Sequence, residues 1–111
     1  MNKINNTEKL TKNKILAYLK ELKDEFKAKG IVSLALFGSY ASDTENVYSD
    51  IDIAIKKEDD FLQNRSPYSY FETLNALKAK ITKKLHRNVD ILDLDSNSVF
   101  KRDIEKDLIY V

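Results

Sequence analysis

The chain has 111 residues, with 19 Lys and Arg set against 18 Asp and Glu for a formal net charge of +1. That length suits a single domain over residues 1–111 with one core, and the near-balance of charge excludes a general electrostatic pull toward nucleic acid or a membrane surface. The lack of cysteine excludes disulfides and thiolate-bound zinc, the longest apolar run (residues 31–37) is too short to span a bilayer, and no signal-peptide core opens the chain, so a soluble, cytoplasmic protein is expected.

From about Asn6 to Lys29 the apolar residues Ile15, Leu19, Leu22 and Phe26 recur at helical spacing, and Gly30 supplies a stop. IVSLALF, short and bounded by Gly30 and Gly38, predicts a buried strand. A Gly-Ser pair then opens a short helix at Ser39 and Tyr40, residues 42–49 form a polar loop, and Asp50–Lys56 reads as the second strand. Around KKEDD the chain returns to solvent. Ser66 and Pro67 mark a helix start, because serine caps orphan amides and proline suits the first helical position.

Along that helix Phe71, Leu74, Leu77, Ile81 and Leu85 predict one apolar face, and Asn88 opens a third strand, NVDILDL. Residues 96–106 predict a short helix with Val99, Phe100 and Ile104 turned inward, and LIYV a terminal strand or extended tail. No internal repeat, low-complexity tract or linker interrupts the order. The expected fold class is therefore α/β (α+β): a small mixed β-sheet with helices packed mainly on one face.

GSYASDTENVYSDIDIAI, Gly38 to Ile55, carries the chemistry. Alternation along a strand points Asp50 and Asp52 to one face and Ile51, Ile53 and Ile55 to the other. Two carboxylates side by side repel, and a divalent cation relieves them. All-oxygen ligation favours Mg²⁺ or Mn²⁺, and Mg²⁺ usually binds through one or two carboxylates together with substrate phosphates.

Gly38 lets a ligand approach the main chain, while Ser39 and Tyr40 offer amides and Ser39 a hydroxyl to a phosphate oxygen. Asp90 in the third strand is the candidate third carboxylate, able to accept a proton from an attacking hydroxyl or to hold metal, whereas Asp93 points to the opposite face. A Gly-Ser turn or a D-x-D strand is commonplace alone. Their combination at this spacing arises by chance roughly once in a thousand chains of this length.

These residues resemble the signature of the minimal nucleotidyltransferases in the DNA polymerase beta-like superfamily, which carry Gly-Ser, a gap and Asp-x-Asp. VDILDL is similar to that family's third-aspartate strand, and DIEKDLIYV to the ending of its small stand-alone members. The resemblance implies the polymerase beta-like nucleotidyltransferase fold. It implies two Mg²⁺ ions on Asp50 and Asp52 with Asp90 as the third catalytic and metal-binding carboxylate, and a triphosphate held by Gly38 and Ser39. The reaction implied is transfer of a nucleoside monophosphate from a nucleoside triphosphate such as ATP to a hydroxyl.

Stand-alone members are associated with antitoxins encoded beside HEPN-domain toxins, so the resemblance implies adenylylation of a toxin tyrosine. One departure stands out: many members read G-S-x-A-R-G, where this chain has Ser42 and Asp43. Lys56, Lys57 or a partner's basic residue would then have to stand in. Two other readings are a binding antitoxin that acts by complex formation, and a nucleotidyltransferase for small molecules of the aminoglycoside type.

Among the remaining residues, His86 reads as a helix-end residue rather than a base. Tyr68, Tyr70 and Phe71 suit core packing better than base stacking, and Tyr48 is placed for substrate contact.

Overall fold

In the computed structural model, which describes residues 9–95 and 104–111, the first helix starts at Thr11. The Thr11 hydroxyl accepts from the Lys14 amide at 3.3 Å while its own backbone stays extended, so α1 runs Lys12–Ala28 and not from Asn6. Residues 6–8 of the expected helix lie outside the described residues, and Lys9 and Leu10 are non-helical. Ile15, Leu19, Leu22 and Phe26 form the buried face that their spacing predicts.

Four strands follow: β1 (Ile31–Phe37), β2 (Ile51–Lys57), β3 (Val89–Asp93) and β4 (Ile109–Tyr110), in the sheet order β3-β2-β1-β4. β1 is antiparallel to both β2 and β4, whereas β2 and β3 are parallel, which makes the sheet mixed as expected. The short helix α2 (Gly38–Ser42) begins the connection from β1 to β2. Parallel neighbours need a crossover. Here α3 (Phe61–Asn64) and α4 (Pro67–Leu85) supply it.

The single turn α3 falls where the sequence suggested only a return to solvent. Phe61 explains it, being 1% exposed and packed edge-on against Tyr70 with ring centroids 5.5 Å apart. α4 starts as predicted: Ser66 Oγ accepts from the Ser69 amide at 3.0 Å, and Pro67 takes the first turn. Its buried side differs by one position, however. Phe71 is 62% exposed, and the inward row is Tyr70, Thr73, Leu77 and Ile81, with Leu74 and Leu85 partly buried beside it. Tyr70 takes the inner place because its hydroxyl bonds Asp93 while its ring meets Phe61.

Strand alternation divides the sheet into two faces. Leu34, Leu36, Ile51, Ile53, Ile55 and Val89 join α1 and α4 in the main core. On the other face Ala35, Phe37, Ala54 and Leu94 make a smaller cluster, edged by Leu92, Ile104 and Leu108. Among the described residues helices thus cover mainly one face, and the other is the more thinly covered. Residues 96–103, including Val99 and Phe100, lie outside the described residues. Ile104 does turn inward, Glu105–Asp107 form a 3₁₀ turn, and the LIYV ending supplies the terminal strand. Among the described residues no helix is long and apolar enough to cross a membrane.

Candidate active site

The site is built where β1 ends. Phe37 pairs with Asp52 across the antiparallel ladder, and Asp52 is in register with Asp90 across the parallel one. Both aspartates therefore project from the thinly covered face of neighbouring strands. Asp50 does not belong to β2 as expected. The ladder begins at Ile51, whose amide donates to the Asn88 carbonyl at 2.9 Å, and Asp50 sits exposed just before it.

Electrostatics ties the three together. Burial pushes the Asp52 carboxyl up from its ordinary value, and the charges of Asp90 and then Asp50 push it further the same way. A cation placed among them would reverse that repulsion. Among the described residues no three acidic, His or Cys side chains form a ready-made metal cage. The donor set nevertheless fits Mg²⁺, which typically takes one or two carboxylates and fills its remaining positions with water and phosphate oxygens.

Directly after Phe37, Gly38 has φ +77° and begins α2, with Ser39 beside it. This angle favours glycine. Ser42 closes the short helix on itself: its hydroxyl lies 3.2 Å from the Gly38 carbonyl, 3.3 Å from that of Ser39 and 2.9 Å from Thr44 Oγ1. Asp43 caps the helix with φ 61° and pairs with Lys12 at 3.0 Å. Positions 42 and 43 thus serve local geometry here, and no guanidinium extends from this turn.

Nor is Lys57 available as a substitute cation. Its ammonium is held on the core face by Asp93 at 2.7 Å, with Asp95 at 3.8 Å. Burial pushes the Asp93 carboxyl up, but hydrogen bonds from Lys57, Tyr70 and the Asp95 amide outweigh it and leave the group below its ordinary value. The Tyr70 phenol is pushed up by burial and by its bond to Asp93. This network is a structural tie between β2, β3 and α4. The alternation placing Asp93 opposite Asp90 was the signal for it in the sequence.

Beside Asp50 lies an open cavity of about 510 Å³ lined in part by Val47, Tyr48 and Arg87. Tyr48 is 89% exposed, so it stands at the rim where the sequence suggested substrate contact. His86 closes α4 in the left-handed region with φ 57°, a helix-end role as expected.

The family model described as "Polymerase beta, Nucleotidyltransferase" matches residues 13–111. The chain belongs to this family. As a nucleotidyltransferase it has relatives in Methanocaldococcus jannaschii provisionally named protein adenylyltransferases. One is 42% identical over 94 residues and another 35% over 99, each alignment covering 83% of this chain and 85% of the relative.

Solved structures share the nucleotidyltransferase fold. A toxin-antitoxin crystal structure with AMP-PNP is 32% identical at a TM-score of 0.51, covering 79% of this chain, which spans 60% of that one. The toxin-antitoxin MntA-HpeT, crystallised with two Asp-to-Glu substitutions two positions apart, is 26% identical at a TM-score of 0.61 and covers 91% and 72%. A chain of the complex between tri-AMPylated Shewanella oneidensis HEPN toxin and MNT antitoxin, 22% identical with a TM-score of 0.59, shares the fold over 90% of this chain and 71% of its own.

Proposed function

We propose that this nucleotidyltransferase is an antitoxin that transfers AMP from Mg-ATP to a hydroxyl, a tyrosine hydroxyl foremost, of a partner HEPN toxin. The observation that carries this reading is the register of Asp52 with Asp90 beside Gly38, which sets two mutually repelling carboxylates at the end of the turn. The names of the relatives support protein as acceptor, and the AMP-PNP complex supports an adenine nucleotide as donor. The Asp-to-Glu pair in the MntA-HpeT crystal structure has the spacing of Asp50 and Asp52.

In this mechanism Gly38 and Ser39 seat the phosphates against the main chain of α2. Asp50, Asp52 and Asp90 would hold two Mg²⁺ ions, with Mn²⁺ able to replace them; bound there, the metal supplies neutralisation of phosphate charge. The acceptor oxygen attacks the α-phosphorus, the bond from that phosphorus to the bridging oxygen of the β-phosphate breaks, and pyrophosphate departs. Asp90 takes the acceptor's proton. Positioning and charge compensation do most of the work.

The test is the intact mass of the HEPN toxin co-purified with this chain, before and after incubation with Mg-ATP. A gain of one or more AMP units that is absent with Asp50→Asn/Asp52→Asn is the expected result. A stable complex with no gain would favour the second reading, neutralisation by binding alone. Val47 and Tyr48, 77% and 89% exposed beside Asp50, give that reading a surface to dock through. Retained neutralisation by Asp52→Asn would establish it.

A further inference from the structure

Of the chain's six tyrosines, Tyr48 is the most exposed, at 89%. Tyr40 is buried, the Tyr18 hydroxyl donates to the Lys80 carbonyl at 3.4 Å, and that of Tyr70 donates to Asp93. The Tyr48 hydroxyl has no hydrogen-bond partner among the described residues. Its backbone is nevertheless held firmly. The Tyr48 amide donates to Asn46 Oδ1 at 2.7 Å, the Asn46 amide to Ser49 Oγ at 2.9 Å, and the Ser49 amide to the Asn46 carbonyl at 3.0 Å. Side-chain bonds of this kind fix a turn from within, so the ring is presented on ordered backbone and little entropy is lost in placing it.

The turn leads directly into Asp50, and Tyr48 and Asp50 line the same open cavity of about 510 Å³. A free phenol hydroxyl, the acceptor chemistry of the AMP-transfer reading above, thus belongs to the cavity that contains one of the candidate carboxylates. Resting on that reading, we propose that Tyr48 is a second acceptor, adenylylated by the site of its own chain. Tyr48 Oη forms a bond to the α-phosphorus of ATP, the bond from that phosphorus to the bridging oxygen of the β-phosphate breaks with its electron pair leaving on pyrophosphate, and the phenol proton passes to Asp90. The resulting phosphodiester adds one negative charge to a cavity that Arg87 also lines, and its nucleotide takes up space beside Asp50. Self-modification therefore competes with transfer to a partner and limits it.

The purified full chain is incubated with Mg-ATP in the absence of any partner, its intact mass is followed, and fragmentation locates the added group. A gain of one AMP unit on Tyr48 is expected, absent with Asp50→Asn/Asp52→Asn and with Tyr48→Phe. The fraction modified at a given time is expected to be unchanged on about tenfold dilution, as a reaction within one chain requires. Because fragmentation reads the site on the wild-type chain itself, the result stands even if a variant fails to fold.

AMP found on another residue, with the exposed Tyr68 and Tyr110 as the obvious alternatives, or a modified fraction that falls with dilution, would overturn the inference. A second mixture contains the partner toxin as well. If the toxin gains AMP there while the chain keeps its unmodified mass in both mixtures, self-modification is excluded and the transfer reading is intact. If neither protein gains mass, the inference falls together with the reading it rests on.

Discussion

The Asp52 carboxylate occupies the space that any side chain on Gly38 would need. A Cβ added to Gly38 would lie 2.9 Å from Asp52 Cγ, closer than real packing allows, and 3.1 Å from its Cβ, tighter than most contacts. With φ at +77° as well, glycine is required here twice over, once for the angle and once for the room. The Gly-Ser turn and the acidic strand are thus a single packed unit.

Gly38→Ala tests that unit. The left-handed angle and the displaced carboxylate together should reduce stability by about 2 kcal/mol. Transfer activity should fall by about a hundredfold, because displacement of a positioning group on the scale of an ångström has that effect. Chemical denaturation and the mass assay on the partner check the two expectations separately. Full activity would show that Asp52 need not stand where the structure puts it.

Asp52→Asn separates folding from catalysis. The carboxyl is raised in the folded chain, so its contribution to stability is complete below the unfolded value of 3.8 and is lost as pH rises through the folded value. At neutral pH the ionised group opposes folding. Its amide replacement should therefore raise the thermal midpoint slightly, by a few tenths of about 1 kcal/mol given the solvent on one side, while transfer disappears. Magnesium added at about ten times its dissociation constant should stabilise the wild-type chain by about 1.4 kcal/mol and the variant by much less. Equal stabilisation of both would move the metal away from Asp52.

The tie between Tyr70 and Asp93 predicts acid sensitivity of another kind. Asp93 is held below its ordinary 3.8, so the stability it provides is present above that value and is lost as pH falls through the folded one. Tyr70→Phe removes a hydrogen bond to a carboxylate and should lower stability at neutral pH by about 2 kcal/mol. The difference between variant and wild type should shrink below pH 4. A constant difference across that range, measured by urea titration, would assign the loss to ring packing instead.

Helix α4 offers a comparison between the face predicted from periodicity and the face observed. Leu77→Ala empties a fully buried site and should reduce stability by about 3 kcal/mol. Phe71→Ser, on the same predicted face, should change it by less than about 0.5 kcal/mol because Phe71 is mostly in solvent. Comparable losses would restore the predicted rotation of the helix.

At the C-terminus of the same helix, His86→Gly should stabilise the chain by up to about 1 kcal/mol. Glycine adopts φ 57° without the strain a side chain brings, and the backbone bond from the residue 86 amide to the Thr82 carbonyl survives. A lower melting temperature would show that the imidazole makes a contact worth more than the relieved strain.

Local order in the sequence sufficed for much of this architecture. Residues 31–37 form a strand because they are short, apolar and bounded by glycines, Ser66 and Pro67 start α4 because their chemistry suits a helix end, and the Gly38-Ser39 turn precedes Asp50 and Asp52 at a fixed spacing. Each of these depends on residues a few positions apart. What only the tertiary structure decided involves segments far apart in the chain. The register of Asp52 with Asp90, 38 residues later, follows from how β2 and β3 align as whole strands. The turning of Tyr70 inward in place of Phe71 follows from Asp93 and Phe61, and the capture of Lys57 from the same network. Val47 and Arg87 share the cavity beside Asp50 because the loop before β2 meets the end of α4. Spacing sets which faces a segment can present, and packing between distant segments selects which of them meet.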